Sequence, residues 1–367
     1  MSDAPAVSVV MSVYNGAKFL PEAVESILRQ SWSNFEFVIV NDGSTDETWS
    51  ILERYRSQDN RVRVVDQEKR GLTVSLNRGC SLSKGKFIAR MDADDVAMPG
   101  RLESQMHFME THPDVGVLGG AFDLIDAAGK KLGVSWLPCE DHEIRRLLLD
   151  STAFLHPSVL MDRSALARAG GYREVKYAED YDLWLRLAEQ TKLANLREVI
   201  HQYRVHPDQV SVSKCKEQAL WTGAAKVAAE CRRKGKPDPI DTLTELTPEI
   251  LETMGVSKVA QQTNTARGLL RCVRNLYRGG ELQLAMQALE AMRSGEFANA
   301  ERWIVADSHL WAARLYWSDR KRLHAFTSLL RALQVRPIIS LRPVRHALDW
   351  LRRSSGRFNR TRLAPTS

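Results

Sequence analysis

Apolar and polar positions alternate along this chain in two different rhythms. Val7-Ser8-Val9-Val10-Met11-Ser12-Val13 is a short apolar run that stops at Tyr14-Asn15-Gly16. It predicts a buried strand ending in a turn. Leu20, Ala23, Val24, Ile27 and Leu28 then recur at helical spacing, with Pro21 in the first turn, where proline is tolerated. Further strands are predicted over Phe35 to Val40, Arg61 to Val65 and Lys86 to Met91, with a helix over Thr73 to Ser83. Ser44-Thr45-Asp46-Glu47 has the form of a capping box opening another helix. Strands alternating with helices imply right-handed βαβ units and an α/β fold with a mostly parallel sheet.

After about Val212 the strand-like runs cease. Thr265 to Tyr277, Leu282 to Met292 and Ala298 to Trp317 have the spacing of amphipathic helices. Arg278-Gly279-Gly280 and Ser294-Gly295-Glu296 are the expected turns between them, and Lys234 to Pro239 is an expected linker. The expected organisation is a catalytic domain over 1–213, helical hairpins over 214–319 and a basic tail over 320–367.

Ligands of such sheets collect outside the carboxyl ends of the strands. Four strand ends carry polar residues here: Asn15-Gly16, Asn41-Asp42-Gly43, Asp66-Gln67 and Asp92-Ala93-Asp94-Asp95. Asp42 is suited to accept hydrogen bonds from a base or ribose, although a turn and helix cap explain the same residues. Three carboxylates in four residues repel one another unless a cation neutralises them. All-oxygen ligands suit a hard divalent ion, Mg²⁺ or Mn²⁺. Glu179-Asp180 opens the amphipathic segment Tyr181-Asp182-Leu183-Trp184-Leu185-Arg186-Leu187. Acids favour a helix N-terminus, but Asp180 is also a candidate general base for an attacking hydroxyl. Tyr203-Arg204-Val205-His206 offers a cation and an imidazole to a diphosphate, and His156-Pro157 is a second histidine in a turn-like setting.

Taken in order, these stretches resemble the large family 2 of glycosyltransferases, which have the GT-A fold. The stretches that carry the resemblance are Val7 to Asn15, Asn41 to Asp46, Ala89 to Asp95, Met98-Pro99-Gly100-Arg101-Leu102, Glu179 to Trp184 and Tyr203 to Pro207. They span residues 7 to about 213, somewhat more than half the chain. The resemblance implies that Asp42 and the backbone of Val13, Tyr14 and Asn15 meet the nucleotide, with Arg90 and Asp92 beside them. Asp92 and Asp94 would form the DxD motif, with Asp94 the direct metal ligand and His206 a further contact to metal or phosphate. Asp180, with Glu179, would serve an inverting transfer with Asp180 as the base, and Arg90, Lys69 and Arg70 would assist the phosphates or shape the loop. The implied donor is a nucleoside-diphosphate sugar, a UDP-sugar first. The acceptor would be a glycan or a lipid-linked sugar of surface polysaccharide. Gly100 stands where a polar residue is expected.

Composition narrows the setting. Five scattered cysteines without CxxC spacing speak against a disulfide framework or a zinc site. No secretory leader is expected at Met1-Ser2-Asp3-Ala4-Pro5, and no run of about 18 apolar residues suggests a membrane span. A cytoplasmic setting is expected. Net charge is +7, but residues 320–367 alone carry +11, leaving −4 for the rest. That tail is expected either to meet an anionic membrane surface on the inner face of the cell membrane or to form a solvated basic face packed on the helical region. No nucleic-acid fold accompanies it. Two other readings explain parts of the pattern. A nucleotidyltransferase leaves Glu179-Asp180 without a role. A non-catalytic adaptor with a protein- or membrane-binding helical tail leaves the intact Asp42, Asp94 and Asp180 without one.

Overall fold

The computed structural model describes residues 4–206, 214–293, 297 and 300–336. Its described residues fall into two compact units: those up to Ser257 with Arg278–Gly280, and those of 258–277 with 281 onward.

In the first unit, β1 (Val7–Val13), β2 (Phe35–Asp42), β3 (Val62–Gln67) and β4 (Phe87–Met91) lie in the order β3-β2-β1-β4, all parallel. The apolar run of β1 is buried on both faces. Val7, Val9, Met11 and Val13 pack on α1 (Leu20–Leu28), α2 (Thr48–Gln58) and α4 (Arg101–Thr111). Val10 points the other way, to Leu76 of α3 (Leu72–Leu82). Continuous rather than alternating hydrophobicity is what two covered faces require.

Beyond β4 the sheet becomes mixed. β8 (Leu160–Asp162) joins β4 antiparallel, followed by β6 (Val115–Ile125), β9 (Lys192–Arg204) and the short β5 (Val96–Ala97), with β7 (Lys131–Ser135) paired to β6. The long β6–β9 pair is parallel and carries the chain from the far side of the sheet back to the acidic turn after β4. α5 (Asp141–Leu148), α6 (Arg163–Arg168) and α7 (Glu179–Ala188) cover this half. Trp184 of α7 is fully buried among Phe154, His156 and their neighbours.

The first unit extends past residue 213. α8 (Cys215–Arg233) buries Trp221, Ala224, Ala225, Ala228 and Ala229 in the core that also holds Leu183 and Trp184. α9 (Pro248–Thr253) adds Leu251 to it. The change from strand to helix therefore does not mark the boundary between units. Nor is Lys234 to Pro239 a free linker: the Asp238 carboxylate accepts hydrogen bonds from Arg173 at 3.0 Å and from Arg232, which pins the segment to the first unit.

The second unit is helical, with α10 (Lys258–Arg278), α11 (Leu282–Arg293), α12 (Arg302–Ser318) and α13 (Arg322–Val335). Gly280, at φ 84°, lies in the turn between α10 and α11. The expected turn at Ser294-Gly295-Glu296, Pro207, and the tail from Pro337 lie outside the described residues.

Candidate active site

The loops that follow β1 and β2 are tied together by side chains. Asn15 adopts φ 49°, a left-handed conformation that asparagine tolerates. Its Oδ1 accepts from the Thr45 N–H at 2.8 Å, and its own N–H donates to Ser44 Oγ at 3.0 Å. The Gly16 and Ala17 N–H groups donate to Thr48 Oγ1 and Asp46 Oδ2. The expected capping box is thus not formed: α2 begins at Thr48 without a side-chain cap from Glu47. Ser44 and Asp46 instead hold the β1 loop, a long-range use that local spacing does not reveal.

Asp42 is buried and organises a third loop. Its Oδ1 accepts from Gln67 Nε2 at 2.7 Å and from the Arg70 N–H at 2.8 Å, and its Oδ2 accepts from the Gly71 N–H at 2.8 Å. Burial pushes its carboxyl pKa up, but hydrogen bonds from Gln67, Arg70, Gly71 and Ser75 more than offset this and hold it below the usual value. Gly43, at φ 72°, lets the Lys69 backbone approach: a Cβ there would lie 2.6 Å from the Lys69 nitrogen. Lys69 Nζ then sits 3.6 Å from the ring centre of exposed Tyr14. Val13, Tyr14, Asn15, Asp42, Lys69 and Arg70 therefore share one rim.

The second part of the site follows β4. Ala93 approaches Gly16, so the two parts adjoin. Arg90 is almost wholly buried and ion-paired to Asp92, and its Nε has no hydrogen-bond partner among the described residues. The three acids of the turn do different things. Asp95 is fully buried; its Oδ1 accepts from the Arg204 N–H at 2.8 Å, and its Oδ2 lies 2.9 Å from His201 Nε2. Burial and the charges of Asp94 and Asp92 push its carboxyl well above the usual range. Asp95 thus anchors β9. Asp94 is partly exposed, and its Oδ2 lies 3.0 Å from His206 Nε2 at the end of β9. Ligand oxygens of Asp92, Asp94 and Asp95 lie within 4.8 Å of one another. With Asp95 engaged on both oxygens, Asp92 and Asp94 are the carboxylates that fit a hard divalent ion.

Glu179 and Asp180 form the first turn of α7, and the Asp180 charge acts on the same cluster. The Asp180 charge raises the carboxyl pKa of Asp92 after burial, Arg90 and Asp94 have had their larger effects. Glu179 is pushed up to about 8, first by burial and then by Asp180. Asp180 is only half-buried, and its Oδ1 accepts from the Tyr181 N–H at 2.7 Å. Tyr172 Oη and His156 Nε2, 2.9 Å apart, line the wall behind Arg90.

Arg204 is not available to a diphosphate. It is buried, donates through Nε to the Asp94 carbonyl at 2.7 Å, and pairs with Glu22 at 2.5 Å. Its role is to hold the acidic turn in shape. Two supporting residues escape a reading of motifs. His201 receives Asp95, and buried Arg101 donates to the Arg90 carbonyl at 2.7 Å. Arg101 lies in Met98 to Leu102, the one matched stretch that motif chemistry leaves without a function, which was the available signal.

The same half of the chain matches known proteins. The model of Glycosyl transferase family 2 matches residues 8–169. EpsE of Bacillus subtilis, a putative glycosyltransferase, is 36% identical over 214 residues, which cover 57% of this chain and 76% of EpsE. WbnJ of Escherichia coli, an O-antigen biosynthesis glycosyltransferase, is 33% identical over 204 residues, covering 54% and 80%. The mannosyltransferase PcManGT of Pyrobaculum calidifontis, solved with GDP-Man and Mn²⁺, superposes with a TM-score of 0.51 over 90% of this chain and 88% of its own, at 17% identity. That likeness establishes the GT-A fold and leaves the chemistry to the residues. By the extent of its match to EpsE and WbnJ, this chain is a member of glycosyltransferase family 2.

Proposed function

We propose that this enzyme moves a sugar from a nucleoside-diphosphate sugar to a glycan or lipid-linked acceptor, with inversion, in the assembly of surface polysaccharide. The observation that carries this reading is the division of labour among the acids. Asp92 and Asp94 stand at one side of the cluster with His206, and Asp180 stands within electrostatic reach of them on α7.

The nucleotide would lie along the rim of Tyr14, Asn15 and the loops that Asp42 organises. Lys69 brings positive charge to that rim. Asp92 and Asp94, with His206, would hold Mn²⁺ or Mg²⁺, which offsets charge on the departing diphosphate. Asp180 would take the proton of the acceptor hydroxyl as its oxygen bonds to the anomeric carbon. The bond from that carbon to the diphosphate oxygen breaks on the opposite face, which inverts the centre. Burial and the Asp180 charge push the Glu179 carboxyl up, which favours Asp180 over Glu179 as the base. The setting that fits is the cytoplasmic side of the cell membrane. WbnJ, by its name, acts in O-antigen biosynthesis, which supports a surface-polysaccharide role.

The stereochemistry of the product tests the mechanism. With a donor of α-configuration, the first-formed product is expected to be β-linked by proton NMR, and EDTA is expected to stop its formation. An α-linked product would contradict the single displacement.

A further inference from the structure

Helix α13 is built with its apolar residues facing outward. Its buried face is made of small side chains, Ala325, Ser328 and Ala332, through which it packs beside α12. The large apolar residues stand on the opposite side. Leu323 is 73% exposed, Phe326 58% and Leu330 44%. Their spacing, i, i+3 and i+7, puts them in one stripe, and exposed Leu329 extends it. At its start lies Trp317, 61% exposed, with the Arg322 guanidinium 3.6 Å from its ring centre.

A helix that hides alanine and shows leucine and phenylalanine gains nothing in water from that choice. Scattered apolar residues on a surface are ordinary, but a contiguous stripe marks an interaction surface. Charge identifies the partner. Arg320, Lys321, Arg322, Arg331 and Arg336 lie along or beside this helix; Lys321 is ion-paired to Asp319 at 2.8 Å, no acid occurs from Arg320 to Arg336, and residues 337–367 add seven arginines and one acid. An anionic surface would be drawn to so basic a stretch. No described helix is long and apolar enough to cross a membrane. An apolar stripe flanked by arginine, with a tryptophan at its end, has the composition of a helix lying in the interfacial plane of a bilayer.

We infer that the outer face of α13, through Leu323, Phe326, Leu330 and Trp317, docks on an anionic lipid bilayer. This narrows the expected membrane contact of the basic tail to one face and adds an apolar component to its charge. It stands apart from the transfer chemistry, because binding is read without donor or acceptor.

The test is flotation of the full chain with vesicles of phosphatidylcholine alone or mixed with phosphatidylglycerol. Flotation is expected with the anionic vesicles and to fall as salt rises. Burying one leucine or phenylalanine is worth roughly tenfold or more in partitioning, so Leu323→Gln, Phe326→Gln and Leu330→Gln together should weaken binding at least a hundredfold. Glutamine keeps helix propensity and net charge, and an unchanged far-UV spectrum and melting midpoint would show that the fold survives. Methionine at the same three positions is expected to keep binding. Equal flotation of the glutamine variant would overturn the inference, as would flotation equal on neutral vesicles or absent from both. A parent dimer that the glutamine changes dissociate, without flotation, would assign the face to self-association instead.

Discussion

Asp180→Asn is expected to lower kcat by about a hundredfold to ten-thousandfold, the usual contribution of a positioned general base. The substitution isolates the proton transfer. Asparagine has the same shape, and its Oδ1 can still accept the Tyr181 N–H that Asp180 accepts now. α7 should therefore start as before, and the melting midpoint should stay within a few degrees. Removing one negative charge also relieves Asp92 and Glu179, whose carboxyls are both raised in part by Asp180. Nucleotide binding should be retained or slightly improved, so the loss falls on kcat rather than on donor affinity. Turnover by the variant equal to that of the parent would remove Asp180 from the mechanism.

Trp184→Ala is expected to destabilise the first unit by about 3–5 kcal/mol, which is the range for removing a large buried aromatic side chain. Trp184 is fully buried and stacks at an angle against Phe154 and edge-on to His156. Its Nε1 has no hydrogen-bond partner among the described residues, so the loss comes from packing alone. At roughly 2–4 °C per kcal/mol for a unit of this size, the melting midpoint should fall by about 6–20 °C. The cavity opens one turn after Asp180 and behind His156, so activity should decline below the melting transition as well. Trp184→Phe, which keeps an aromatic plane and loses no hydrogen bond, should cost much less. A midpoint for the alanine variant within about 2 °C of the parent would mean that this wall does not support the site.

Much of the site was legible because it lies where parallel strands end. The runs of β1, β2 and β4 are apolar on both faces and stop at polar residues, and the structure places those ends on one rim. The mixed half beyond β4 was not legible. Val115 to Ile125 contains Gly116, Gly119 and Gly120, which lower strand propensity. The glycines answer to tertiary contacts instead: a Cβ at Gly119 would lie 2.2 Å from Asn195 Oδ1, and one at Gly120 would lie 2.7 Å from Ile200 Cδ1. The acidic turn shows a second limit. Asp92, Asp94 and Asp95 are alike as letters, and only burial and the partners from β9 separate the anchor Asp95 from the other two. Arg204 has the right charge for a diphosphate, but a neighbouring carbonyl and Glu22 claim it. The end of the first unit was hidden because the alanine-rich face of α8 carries no break in pattern as it enters the core.

The most direct test of the central claim, a metal-assisted nucleotide-sugar site, is a thermal-shift panel of UDP, GDP, dTDP and CMP, each with Mn²⁺ or with EDTA. A ligand at 100 times its dissociation constant stabilises a protein by about 2.7 kcal/mol. For a unit of this size that is a shift of roughly 5–10 °C. The account predicts that one nucleoside diphosphate, UDP first, gives such a shift with Mn²⁺ and loses it with EDTA. A folded sample that no nucleotide shifts under either condition would contradict the account and favour a non-catalytic, transferase-like adaptor.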